Sequence, residues 1–108
     1  MKLIIHRVVA AYDGEANEAE QMVLFCLGAA QEAHHAVHEA GGTLEAAKAA
    51  ASEAYKNAMP KLTHHALVRF YIACVAQGVA LNYITGKEAK LMLYAAQLAL
   101  AALRRSNL

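Results

Sequence analysis

A chain of 108 residues is the usual size of one domain, and it can bury roughly two-thirds of its unfolded surface, enough for a core without disulfide or metal staples. Ten basic residues against nine acidic ones, spread along the chain, leave a net charge of +1 and no basic block, which excludes the electrostatic footprint of a nucleic-acid binder. One proline and six glycines exclude long linkers, and much of the 58% hydrophobic fraction is alanine, which adds helix propensity more than core volume.

The first ten residues, Met1 to Ala10, are too short and too interrupted by charge for the apolar region of a signal peptide. Within residues 2–12 the β-branched cluster Ile4, Ile5, Val8 and Val9 suits a strand or a short docking helix. Helix is preferred, because no other segment offers a partner strand. Asp13-Gly14, followed by Glu15, Glu18 and Glu20, reads as an N-cap with an acidic first turn. The first long helix then runs to Ala40, roughly 40 Å, where Gly41-Gly42 stops it. Thr43 caps a second helix that ends near Ala58-Met59, since Pro60 disfavours helix at the residue before it. Thr63 caps a third, from His64 to about Tyr83. Thr85-Gly86-Lys87-Glu88 has capping-box spacing and opens a fourth, which ends at Arg104-Arg105 against the negative end of its dipole. The expected fold is therefore all-α: one domain, a compact bundle of four mostly antiparallel helices, five if residues 2–12 form one.

The first helix carries a seam of small and medium residues at spacings of three and four: Ala16, Ala19, Val23, Cys26, Ala30, Ala33, Val37 and Ala40. The second repeats the pattern with Leu44, Ala47, Ala51, Ala54 and Ala58, and places Glu45, Lys48, Ser52, Glu53 and Lys56 on the opposite side. The third and fourth helices lack such a polar face. Between Ala66 and Ala80 only Arg69 and Gln77 are polar, and between Leu91 and Leu103 only Gln97 is strongly so. A helix apolar on every side is normally buried on every side. One central helix is reasonable in a small bundle, but two are hard to cover. The uncharged run from Phe70 to Gly86 contains Gln77 and Asn82 and is short for a membrane span of about 20 residues, so a core helix in a cytoplasmic protein is expected.

No chemical motif stands out. Cys26 and Cys74 match no metal spacing, lack a neighbouring base and are expected as buried free thiols of a reducing compartment. Ser52 and Ser106 have no triad partners, and there is no phosphate-binding glycine loop or nucleophile elbow. The six histidines are the most suggestive group. His34 and His38 lie one turn apart, and His64 and His65 open the third helix, where the dipole favours neutral imidazole. A pair of histidines at i,i+4 with a third from another helix suits zinc. Against this, His34, His35 and His38 with Glu32 and Glu39 suit a solvated polar face, His64 and His65 suit a first turn in water, and no spacing joins the two pairs. Glu32-Ala33-His34-His35 contains one Glu-x-x-His, whereas a di-iron bundle needs two and further carboxylates.

The surplus apolar surface carries the functional expectation. Contiguous exposed apolar patches are uncommon on monomers and mark interfaces. The third and fourth helices present Leu67, Phe70, Tyr71, Val75, Leu81, Leu91, Met92, Tyr94 and Leu98 as an interface, with tyrosines favoured there for their large contact area and polar tip. The expected function is a non-enzymatic, self-associating helical interaction module: an adaptor, assembly subunit or inhibitor of a larger complex. No catalytic residue, cofactor, nucleic acid or membrane is implied. The alternative is a small metal- or haem-binding bundle that uses the histidines.

Overall fold

The computed structural model describes residues 14–106; the expectations for residues 2–12 and for the Asp13 cap lie outside them. Four helices follow one another: α1 Gly14–Glu39, α2 Leu44–Ala58, α3 His65–Ala80 and α4 Gly86–Ser106, with no strand among the described residues. They form an all-α bundle in which α1 packs along α2, while α3 packs against both α1 and α4.

Each boundary has a local cause. Both α1 and α3 end in the same C-terminal motif. After α1, Gly41 adopts φ 82°, and the Gly42 and Gly41 amides donate to the carbonyls of Val37 and His38 at 2.9 and 3.0 Å. After α3, Asn82 takes the left-handed position at φ 64°, and the amides of Tyr83 and Asn82 donate to Gly78 and Val79 at 2.8 and 3.1 Å. Asparagine tolerates this conformation better than other residues with a side chain. The third helix therefore stops at Ala80 rather than near Tyr83. Its start also differs from expectation: His64 occupies the N-cap position, and the Thr63 hydroxyl contacts His64 Nδ1 at 3.0 Å instead of capping the helix.

Two caps follow the sequence directly. The Ala46 amide donates to Thr43 Oγ1 at 3.1 Å. At α4 the capping box closes reciprocally, Thr85 N–H donating to Glu88 Oε1 at 2.9 Å and Glu88 N–H to Thr85 Oγ1 at 3.1 Å.

The core gathers Val23, Cys26, Leu27 and Ala30 of α1 with Tyr55 of α2 and Cys74 and Val75 of α3. The α1 seam is as expected at Val23, Cys26 and Ala30, with Ala19 half-buried. On α2 it is rotated: Leu44 is exposed, and the buried line is Ala47, Ala51 and Tyr55, continued by Met59 beyond the helix. The reason is volume. Small alanines let the backbones of α1 and α2 approach, and the large Tyr55 ring then fills the space towards α3, where its hydroxyl donates to the Cys74 carbonyl at 2.7 Å. Burial pushes the Tyr55 hydroxyl's pKa well above its ordinary value.

Lys56 of α2 donates to Glu88 Oε2 of α4 at 2.7 Å, tying the last helix to the second. This bond, with the Thr85 amide, holds the Glu88 carboxyl at about 2, below its ordinary 4.5. A carboxyl depressed in the folded state adds stability above its ordinary pKa and loses that contribution as pH falls through its folded one. Denaturant melts at stepped pH should therefore show α4's attachment weakening between about pH 4.5 and 2. Glu88→Gln should be less stable at neutral pH and show a shallower acid limb. An unchanged acid limb would show that the Lys56–Glu88 pair contributes nothing.

Candidate protein interface

The two all-round apolar helices meet different fates. Helix α3 is the covered one: Val68, Phe70, Cys74, Val75 and Gly78 are buried, and its exposed positions are chiefly Arg69, Ala76, Val79 and Ala80. Helix α4 lies at the edge, with α3 as its main neighbour. It buries Ala89 and Ala96, half-buries Met92, Leu100 and Leu103, and turns Leu91, Leu93, Tyr94 and Leu98 outward. Leu91, Tyr94 and Leu98 are 68%, 60% and 53% exposed. On a 3.6-residue helix they fall within about 60° of one another, on the side opposite Ala89 and Ala96. Their spacing of three and four is that of a helix–helix seam. Lys87 and Arg105 continue the same line at its two ends, so the stripe is apolar in the middle and cationic at the tips.

The residues expected at an interface thus divide into three groups. Phe70 and Val75 lie inside the chain's own core and have no surface to offer. Leu67, Tyr71, Leu81 and Met92 are half-buried; Tyr71, Leu81 and Met92 pack on the core cluster. Leu91, Tyr94 and Leu98 are exposed together. Phe25, 65% exposed on α1, is a further large apolar side chain on the surface that the seam pattern did not single out. It stands in line with Glu18, Gln21 and Glu32, so its polar neighbours masked it in the sequence.

The histidines separate as well. His34, His35 and His38 line a shallow open depression of about 380 Å³ together with Gln31 of α1 and Tyr83 from the α3–α4 turn. A neighbouring depression of about 320 Å³ shares His34 and Tyr83 and adds Lys48, Ser52 and Asn82. His35 Nε2 lies 3.6 Å from Glu39 Oε1, an exposed pair one turn apart that is worth little in water. His64 and His65 line neither depression. Among the described residues, no three His, Cys, Asp or Glu side chains are placed to hold a metal ion, and no helix is long and apolar enough to cross a membrane.

Cys26 of α1 and Cys74 of α3, far apart in sequence, come together in the core with their sulfurs 3.9 Å apart and no exposed surface. Sequence spacing had no means of pairing them. Each lies on its own helix's buried line, which was the available signal.

No family model, curated protein or solved structure matches this chain.

Proposed function

We propose that the protein is a non-enzymatic, self-associating helical module whose α4 seam docks on a second copy of the chain, the assembled copies in turn serving a larger protein as an adaptor, assembly subunit or inhibitor. The observation that carries this reading is the exposed line Leu91, Tyr94 and Leu98 on a helix whose opposite face is already packed. Fully burying such a side chain is worth roughly 1.5–3 kcal/mol, so leaving three of them more than half exposed forgoes several kcal/mol in total. A stripe with seam spacing is self-complementary: related by a two-fold axis, each copy's knobs meet the gaps of the other.

Light scattering coupled to size exclusion, on the full chain at micromolar concentration, should give at least twice the 11.6 kDa chain mass. Leu98→Glu places a charge within the stripe and should shift the protein to monomer while leaving its helical circular dichroism intact. A wild-type monomer that binds no hydrophobic dye would overturn the proposal, since the stripe would then be covered within the protomer. A monomer that binds the dye would overturn self-association and leave a different protein as the occupant of the same stripe.

A further inference from the structure

The interior of the bundle holds a pair of nucleophilic groups that self-association does not use. Cys26 and Cys74 face each other across the α1–α3 contact, both fully buried, with a sulfur–sulfur distance of 3.9 Å. Tyr55 closes the site from α2 by its hydrogen bond to the Cys74 carbonyl, and Tyr83 packs on Tyr55 at a ring-centroid distance of 5.2 Å. The two thiols are each other's polar partners in an otherwise apolar pocket. Whichever ionises first is stabilised by the S–H of the other. The Cys74 hydrogen bond draws the Cys26 thiol below its ordinary range, and the same contact, with burial, pushes Cys74 up. The contact thus places a resolving thiol beside whichever sulfur is oxidised first.

We propose that Cys26 and Cys74 are an oxidisable dithiol, converted by a small neutral peroxide into a disulfide that fastens α1 to α3. The thiolate of one cysteine attacks a peroxide oxygen, the O–O bond breaks, and that cysteine becomes a sulfenic acid as hydroxide leaves and is protonated to water. The sulfur of the other cysteine then attacks the sulfenic sulfur, the S–O bond breaks, a second water leaves and the S–S bond forms. Two thiols lose two electrons and two protons, and hydrogen peroxide gains them to become two waters. The sulfurs must approach by about 1.9 Å to reach the bond length of about 2.05 Å. Burial selects the oxidant. A molecule near the size of water enters by local opening, whereas a bulky peptide disulfide needs the bundle to unfold. Cross-linking residues 48 positions apart removes much of the unfolded chain's freedom, so the oxidised form is the more stable one.

The test uses the full reduced chain treated with hydrogen peroxide, then denatured, alkylated and weighed intact. The expected product has lost two hydrogens, takes up no alkylating reagent, runs as a single chain on a non-reducing gel and reverts with dithiothreitol. Its melting temperature should rise by roughly 5–15 °C over the reduced form. Cys26→Ala and Cys74→Ala should each abolish both the mass loss and the melting shift. Because the wild-type measurement stands alone, a variant that fails to fold does not rescue the proposal. Two thiols that stay alkylatable after peroxide would overturn it. So would chains cross-linked to each other, sulfinic acid at one cysteine without a cross-link, a lowered melting temperature, or a glutathione adduct formed on the folded protein by oxidised glutathione.

Discussion

Tyr55→Ala is expected to destabilise the protein by about 3–5 kcal/mol, as for other large aromatic side chains removed from a packed core. Tyr55 is fully enclosed, is the largest wholly buried side chain, and is the point at which α2 reaches through to α3. Its removal leaves a cavity among the core side chains of α1 and α3, which the helices cannot close without losing their own contacts. Tyr55→Phe separates the two components of this effect. It keeps the ring against Tyr83 and removes only the hydroxyl, so the cost should be that of one buried hydrogen bond, about 0.5–1.5 kcal/mol. Urea melts of the three proteins measure both. For a domain whose whole stability is roughly 5–15 kcal/mol, the alanine variant sits close to the unfolding threshold. A cost below about 1 kcal/mol for Tyr55→Ala would mean that Tyr55 does not hold α2 to the rest of the bundle.

Glycine substitutions should change sign between two helices. Gly28 lies within α1, and a Cβ built there meets nothing within 4 Å. Gly28→Ala should therefore stabilise the protein by up to about 1 kcal/mol, through helix propensity and a less flexible unfolded chain. Gly78 lies in α3, and a Cβ there would stand 2.5 Å from Ile84 Cδ1 and 2.9 Å from both Ile84 Cγ1 and Tyr55 Cε1. The Ile84 methyl can swing away, but the Tyr55 ring is fixed by its hydrogen bond and its neighbours. Gly78→Ala should thus lose its propensity gain to overpacking, which typically costs 1–3 kcal/mol. Gly78→Val, which adds two methyls to the same space, should cost about 3 kcal/mol or more. Melting temperatures of the three variants make the comparison. A stabilised Gly78→Ala would show that Ile84 and the Tyr55 ring yield, and that the close approach of α3 to the following turn is not required.

Much of this protein was legible in the residues alone. Helix punctuation is local chemistry: the Thr43 cap, the Thr85–Glu88 box, the Gly41-Gly42 stop and Pro60 act within one or two turns, so they need no knowledge of what packs where. The α1 seam was legible for the same reason, being a periodicity of one helix. Asn82 as the stop of α3 was missed because asparagine is permitted, not obliged, to adopt positive φ, and residues 79–85 contain no glycine to mark it. Tyr55 on the α2 seam was missed because alanine tolerates either side of a helix, which left the direction of that seam undetermined until a large neighbour fixed it.

Tertiary structure decided the rest. Residue pattern marked α3 and α4 as equally apolar; only packing distinguishes the helix covered by its neighbours from the one at the edge, because burial is a property of position in the bundle and not of the segment. That is why Phe70 and Val75 belong to the core while Leu91, Tyr94 and Leu98 face outward. The meeting of Cys26 with Cys74 likewise depends on the crossing of α1 and α3, which sets which residues far apart in the chain share a pocket. Periodicity determines the face a residue occupies; the angle and offset between helices determine what that face meets.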